Sequence, residues 1–534
     1  MTTSTPSDKY FLWFSDFHFD PYYATKDAYK ASYNAKAVCN SPLIPSLGSV
    51  GCDSSRALVY SALEHATEIA ASPSFIIVSG DMVRHGVDML YTSSNQEGSE
   101  NRDGNEVELA AHSDYHNDAM NEVGEILYDV FGMVSEVFPD VEIIFSMGNN
   151  DVVPDYYLQL EDEPPTMTNS SMTPEESGML GIIYNALRDN SEVISESNQI
   201  GAQRRGLGLL SVEDSSTFLK GGYYSRVLSN GLTILSINSV LYSSFFSPEP
   251  RNAEDPGDQF AWMRNTLSNI RENGNSKAMI VGHIPPGVGS YRHRQLWKEK
   301  YIKAYYDIIQ DFDDVIAGHL GGHLHSDEFR IGADSISTPL LLAGSLTPIH
   351  GNNPSFRKVL YGGDDDGQFR LLDYESHYHS MDDINPTWSK LYTFSETYVD
   401  AGEASQLIKT EGLSANVFRS ILQSMEDGQG EMSPTLESFL SFVKSGSEES
   451  VDCDANCRNE WMCTLSVTTT AVEYKTCLFQ KWHSRAILGV AGAALFSAAF
   501  IVVLAVRCSK SRRRAHYETT SSVEGNEEVE DQMI

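Results

Sequence analysis

Positive charge is scarce in this chain. Against 74 Asp and Glu stand 38 Lys and Arg, a formal net charge of −36 over 534 residues. Such a surface repels polyanions, which excludes nucleic-acid-specific binding or adsorption to anionic membranes through the bulk surface and leaves only a locally built site. Internal repeats are absent too, so the chain is not a stack of like units. The opening stretch, MTTSTPSDKYFLWF, lacks an apolar signal region behind a basic start. Cysteine is sparse, with seven in all. What is present in quantity is apolar matter: 41% hydrophobic and 10% aromatic residues, enough for a globular chain with a sizeable core.

One segment lacks charge altogether. AILGVAGAALFSAAFIVVLAV, Ala486 to Val506, is 21 residues long, and about 20 apolar helical residues cross a bilayer core of ~30 Å. Arg507, Lys510, Arg512, Arg513 and Arg514 follow it. The positive-inside rule then puts the acidic tail, 507–534, in the cytosol and all that precedes Ala486 in a vacuole- or lysosome-like lumen or outside the cell. The expectation is a single-pass membrane protein, its partner the bilayer through one C-terminal helix. Cys39, Cys52, Cys453, Cys457, Cys463 and Cys477 precede the span, and Cys508 lies beyond it, a candidate for S-palmitoylation. An even set on the oxidising side predicts three disulfides, with fifteen pairings open. Asn169-Ser170-Ser171 is an N-glycosylation sequon that fits the same compartment.

Short apolar runs bounded by turn residues recur along the chain: 10–15, 75–79, 141–146, 232–237, 278–281 and 315–317. Their length is that of strands. Helical patterns lie between them, as at 54–71 and 116–131, and the alternation predicts a layered α/β domain. The polar stretches 91–113 and 161–176 read as insertions. Past about Gly402 strand signals cease, and 415–425 and 434–443 read as helices ahead of the cysteine cluster. The predicted organisation is a domain over 8–400, a helical cysteine-containing subdomain over 401–480, the span 486–506 and the tail 507–534.

The ends of these strands carry the chemistry. DFH supplies Asp16 and His18, GD supplies Asp81, GNND supplies Asn149, GH supplies His283, and GHLH supplies His323 and His325. A polar residue after one strand is ordinary, but Asp, Asn and His after strand upon strand are a site, because strand-end loops are where α/β folds assemble one. Imidazole with carboxylate and amide oxygen suits two divalent metal ions, zinc or iron by the imidazoles, manganese by the oxygens.

Taken in order, D-x-H, G-D, G-N-x-D, G-H and G-H-x-H resemble the calcineurin-like metallophosphoesterase superfamily, over about Tyr10 to Phe329. Within it, SVGCDSSRALVYSALEHA, DPGDQFAWM, GHIPPG, VIAGHLGGHLHSDEF and CDANCRNEWMCT resemble the acid sphingomyelinase-like phosphodiesterase and endopolyphosphatase branch. The resemblance implies an α/β/β/α sandwich and a pair of divalent ions, zinc first, that activate a shared water. It places Asp16, His18 and His325 on one ion and Asn149, His283 and His323 on the other, with Asp81 bridging. It also pairs Cys39 with Cys52, Cys453 with Cys457, and Cys463 with Cys477.

One position departs from the superfamily pattern. Where most members have His in G-N-H-[DE], this chain has Asn150, which can hydrogen-bond a phosphate oxygen but cannot donate a proton. GNND, and Arg84-His85 in SGDMVRHG, resemble the endopolyphosphatases. His85 is the candidate acid, its bland alternative a residue that only orients a ligand. Arg84 with His85, and beyond them Arg292 and His293, are candidate substrate-binding groups. Asp151 reads as a supporting partner and His319 as structural. The expected function is hydrolysis of a phosphoanhydride or phosphodiester, with polyphosphate, a phospholipid such as sphingomyelin, or a phosphorylated small molecule such as a nucleotide diester as substrate. The alternative is a catalytically silent, membrane-tethered metal-binding ectodomain.

Overall fold

The computed structural model describes residues 9–31, 34, 37–92, 113–160, 174–188, 207–274, 276–363, 369–381, 387–399, 403–426, 432–447, 453–466 and 470–481. Its twelve strands are β1 (Lys9–Phe14), β2 (Ile76–Val78), β3 (Ile143–Phe145), β4 (Tyr224–Val227), β5 (Thr233–Ser236), β6 (Ala278–Val281), β7 (Ile316–Gly321), β8 (Glu328–Arg330), β9 (Leu340–Leu342), β10 (Ser355–Gly363), β11 (Phe369–His379) and β12 (Trp388–Thr393). They form two six-stranded sheets, ordered β12-β11-β10-β1-β2-β3 and β4-β5-β6-β7-β9-β8.

β1, β2 and β3 run parallel, as do β5, β6, β7 and β9. Every residue of β2, β3 and β6 is buried, which is why IIV, IIF and AMIV read as continuous apolar runs without alternation. Helix α1 (Arg56–Ile69) follows the strand-end loop of β1. Its first turn is capped by Ser55 Oγ, which accepts from Leu58 N at 3.1 Å. Leu58, Val59, Ala62, Leu63 and Ala66 form its buried stripe. Helices α2 (Val87–Thr92) and α3 (Ser113–Val137) lie between β2 and β3 in the chain. The sheets meet where Ser236 Oγ donates to Phe145 O at 2.6 Å and the Tyr224 hydroxyl donates to the same carbonyl at 3.0 Å.

Two compact units divide the chain, 1–474 and 475–534. Helices Glu403–Glu411, Ala415–Glu426, Pro434–Phe442 and Ala455–Leu465 belong to the first, together with the sheets. Phe418 packs on Phe329 of β8 with ring centroids 4.8 Å apart, and Ile331 N donates to Leu465 O at 3.0 Å. Of the second unit only 475–481 is described, and it is helical. Disulfides join Cys39 to Cys52 and Cys453 to Cys457, and Cys463 and Cys477 are also disulfide-bonded.

The expected single-pass membrane placement, with a lumenal or extracellular catalytic domain and a cytosolic tail, is corrected here. No helix among the described residues is long and apolar enough to cross a membrane. The 25-residue helix α3 has the length, but it carries Asp118, Glu122, Glu125, Asp129 and Glu136, too many charges for hydrocarbon. The run Ala486–Val506, the basic cluster after it, Cys508 and the sequon at Asn169 lie outside the described residues.

Candidate active site

β1 ends at Phe14, and the turns beyond it carry Asp16 and His18, both fully buried. Asp81 follows β2, Asn149 follows β3, His283 follows β6, and His323 and His325 follow β7. Asp16, His18, Asp81, His323 and His325 hold φ between 39° and 73°. That left-handed region costs a non-glycine residue on the order of 1–2 kcal/mol. Five such residues in one small site mark turns that are kept for where they aim side chains, against a cost in stability.

Two glycines let the loops close. A Cβ on Gly148 would stand 2.1 Å from Asp81 Oδ1, and one on Gly80, at a φ of 91°, would stand 2.6 Å from the His283 ring. Asp151 ties the same loops together. Its carboxylate accepts from Asp81 N at 3.0 Å, Met82 N at 2.8 Å, Val83 N at 3.1 Å and Gly148 N at 2.8 Å. The last residue of GNND is therefore a scaffold for Asp81.

The structure gathers six of the seven predicted ligands into two groups. Asp16, His18 and His325 offer ligand atoms within 4.8 Å of one another, and so do Asp81, His283 and His323. Asp81 Oδ2 is 3.1 Å from His283 Nε2 and 3.5 Å from His18 Nε2, so one carboxylate faces both groups. Asp16 Oδ1 is 3.3 Å from His325 Nε2 and 3.9 Å from His283 Nε2.

With neutral rings these contacts are not hydrogen bonds. His283 Nδ1 lies 2.7 Å from Ser79 O, and His18 Nδ1 lies 3.1 Å from Val83 O. A carbonyl only accepts, so Nδ1 carries the proton in both rings, and in the neutral ring Nε2 turns a lone pair toward the Asp81 carboxylate. Both Nε2 atoms and Asn149 Oδ1 are buried without a hydrogen-bond partner. Lone pairs converging on carboxylates are satisfied by a cation between them, a proton or a metal ion, and the donor set is one that divalent metals take. Without a metal ion the pocket recruits a proton: burial pulls His283 down, but Asp81 and Asp16 outweigh it and raise it to about 9. Burial raises Asp16 to about 7. Burial lowers His323 to about 3 and holds His18 and His325 well below the ordinary imidazole value, so these rings stay neutral, the form that ligates.

His85 flanks the first group, its ring stacked on His18 at 4.0 Å and on Tyr29 at 5.3 Å. Asp53 holds it twice: His85 N donates to Oδ2 at 2.9 Å, and Nδ1 lies 2.9 Å from Oδ1. Burial opposes the charged ring, but Asp53, Asp155 and Asp81 prevail and raise His85 to about 9. His18, Asp53 and His85 also form a third ligand-like group. It shares His18 with the first, whose Nδ1 is committed to Val83, so it is not an independent metal site. Asn150 donates its backbone N–H to Asp81 Oδ1 and accepts Asn149 Nδ2 on its own Oδ1, both at 2.8 Å.

Other candidates lie elsewhere. Arg84 is 3% exposed and paired with Asp20 at 2.9 Å, with a second bond to Asp27 O, so its guanidinium clamps the loop that carries Asp20. His293 pairs with Glu460 at 3.5 Å and stacks on Tyr474, and Arg292 lies over Tyr291. His319 Nε2 is 2.6 Å from the Tyr305 hydroxyl and is structural. Asp53, Asp20 and His350 were not singled out from the sequence. The only signal for Asp53 is an acid wedged between Cys52 and the helix cap Ser55, and for Asp20 an acid two residues past His18.

The sequence profile of the calcineurin-like phosphoesterase family matches residues 9–327. The chain belongs to that family. It is 26% identical over 486 residues to human cyclic GMP-AMP phosphodiesterase SMPDL3A, covering 87% of this chain and 89% of that protein. It is 27% identical over 359 residues to sphingomyelinase phosphodiesterase D of Dictyostelium discoideum, covering 66% and 67%. Mouse acid sphingomyelinase-like phosphodiesterase 3b is 25% identical over 489 residues, covering 87% and 88%. The protein is thus a metal-dependent hydrolase, a phosphodiesterase of the sphingomyelinase-like branch.

Proposed function

We propose that this calcineurin-like phosphodiesterase, on an α/β/β/α frame, hydrolyses phosphodiester or phosphoanhydride bonds through two adjacent divalent ions. One would be held by Asp16, His18 and His325, the other by Asn149, His283 and His323, with Asp81 between them. The observation that carries this reading is the pair of Nε2 atoms that face the Asp81 carboxylate, beside a buried Asn149 oxygen without a hydrogen-bond partner. When bound, such ions supply a nucleophile from water and neutralise phosphoryl charge during in-line displacement.

The chain's own groups do the rest. His85, charged and oriented by Asp53, donates a proton from Nε2 to the departing oxygen. Asn150 turns an amide to the phosphoryl group and holds Asp81 through its backbone N–H. Because Asn150 adds no second proton donor beside His85, the reading favours leaving groups that are already weak bases, phosphate among them. Polyphosphate and nucleoside polyphosphates therefore stand ahead of simple alkyl diesters. The relatives' names point to cyclic GMP-AMP and to sphingomyelin, so both belong in the substrate panel. Turnover of tripolyphosphate, cyclic GMP-AMP, sphingomyelin and bis(p-nitrophenyl) phosphate by protein of known metal content tests the proposal. Turnover that needs metal and prefers phosphoanhydride or aryl leaving groups supports it. Preference for the choline diester would overturn the leaving-group reading.

A further inference from the structure

The loop beyond GNND carries an aromatic ring that none of the roles above requires. Tyr156 holds a φ of 62°, in the left-handed region where a bulky side chain is a genuine outlier. Its backbone is committed on both sides: Tyr156 N donates to Asn149 O at 3.1 Å, and Tyr156 O accepts from Ser247 N at 3.1 Å. The first bond ties it to a proposed ligand of the second ion, and the other ties it to the loop that follows β5. Its ring stands edge to face with that of His323, centroids 6.4 Å apart. A strained turn that aims a tyrosine at the centre is kept for where the ring goes.

Phe245 completes a pair. Its ring centroid lies 5.5 Å from that of Tyr156, the planes tilted by 56°, and the side chain is 50% exposed. A lone exposed aromatic carries no message, since much of any folded surface is apolar. This one is held still. Phe245 N donates to Ser243 Oγ at 3.1 Å, Ser244 N to Leu296 O at 2.8 Å and Leu158 N to Ser247 O at 2.9 Å, so loop 243–247 is pinned along its length. Two rings on separate pinned loops, one open to solvent and the other against a ligand imidazole, make a rigid apolar shelf that begins at the second ligand group.

Where the shelf begins decides what covers it. A phosphoryl group bound at the centre has one substituent that departs toward His85, whose ring stacks on His18 of the first group. Water's oxygen joins the phosphorus, the bond to the leaving oxygen breaks, and that oxygen takes the proton from His85. In a nucleotide a second, organic substituent stays on the phosphorus, and the shelf beside the second group is the place for it. An inorganic polyphosphate presents only charged oxygens there, which apolar rings do not hold. A quaternary ammonium is held by a cage of rings, and two tilted rings with an open face do not enclose one. A flat base stacks on such a face, whichever base it is.

We infer that Tyr156 and Phe245 form a stacking shelf for a nucleobase carried by the retained phosphoryl group, so that the product left on the centre is a nucleoside monophosphate. This rests on the hydrolytic reading above and selects, among its substrates, those that bear a base.

The test measures binding of AMP, inorganic phosphate and phosphocholine by titration calorimetry to the full chain loaded with metal, in wild type, Phe245→Ala and Tyr156→Leu, alongside turnover of ATP and tripolyphosphate. Stacking on one ring is worth about fivefold or more in affinity, so AMP binding should weaken by that factor relative to phosphate in each variant. The ratio of kcat/KM for ATP to that for tripolyphosphate should fall with it, mostly through KM. Phe245 is half exposed, so Phe245→Ala decides should Tyr156→Leu fail to fold. Equal changes for AMP and phosphate, or none, overturn the shelf and leave the hydrolytic reading standing. A loss confined to phosphocholine also overturns it and gives the rings to a quaternary ammonium. Ring-dependent AMP binding by a metal-loaded wild type that turns over neither ATP nor tripolyphosphate would support the base site and overturn the hydrolytic reading.

Discussion

Asp53 grips His85 at two points, with one carboxylate oxygen 2.9 Å from Nδ1 and the other accepting the backbone N–H at 2.9 Å. A histidine held in this way has one orientation and one proton left to give, from Nε2. His85→Ala should slow an alkyl diester by about 10²–10⁴-fold, the usual worth of a general acid. It should slow an aryl ester or tripolyphosphate far less. Asp53→Asn keeps the shape but removes the charge that raises His85, so the imidazolium loses its proton at lower pH. The alkaline limb of the pH–rate profile should then move to lower pH. Equal slowing of every substrate by His85→Ala would make His85 a positioning residue.

Asp81 faces both ligand groups, and its backbone and side chain are held by Asp151 and Asn150. Asp81→Ala deletes the charge shared by both groups. Metal analysis should show at least one ion lost per chain, and turnover should fall to background. Retention of wild-type rate with full metal content would remove Asp81 from the centre.

Asn150→His restores a side chain able to protonate a leaving group. It should raise the alkyl diester rate relative to tripolyphosphate, read as the ratio of the two kcat/KM values in one preparation. An unchanged ratio would mean that Asn150 does not face the leaving oxygen.

His319 supplies a test of stability independent of the metals. Burial lowers it to about 3 in the folded chain, against 6.5 when unfolded. The unfolded chain therefore binds the extra proton, so the stability that His319 contributes is whole above pH 6.5 and drains away as pH falls toward 3. Thermal melts should show a steeper loss of stability between pH 6.5 and 4 in wild type than in His319→Gln, which has nothing to titrate there. Parallel pH profiles would refute it.

The strand ends were legible in the sequence because parallel strands buried on both faces must be short apolar runs, and most runs here stop at or one to two residues before an Asp, Asn or His. β1, β2, β3, β5 and β6 lie at or within about two residues of such runs, whereas β7 starts with its run and continues four residues past it, to Gly321. β10, β11 and β12 were missed because they are half-buried and rich in Tyr, His and Lys, so no clean period marks them. Asp53 and His350 were missed for a different reason. Each reaches the site from a loop whose path is set by long-range bonds, to Cys39 through the adjacent Cys52 in one case and to Ser15 and Asp16 in the other. The ion pair of Arg84 was not legible either, because the sequence cannot show Asp20 folding back beneath it.

The central claim is that Asp16, His18, Asp81, Asn149, His283, His323 and His325 hold two divalent ions that carry the hydrolysis. The most direct measurement is metal content by elemental analysis alongside bis(p-nitrophenyl) phosphate turnover, taken as purified, after chelation and after re-addition of zinc or manganese. The account predicts two ions per chain, turnover that disappears with them, and its recovery on re-addition. Two ions with no turnover of any phosphorylated substrate, or turnover that survives complete chelation, would contradict it.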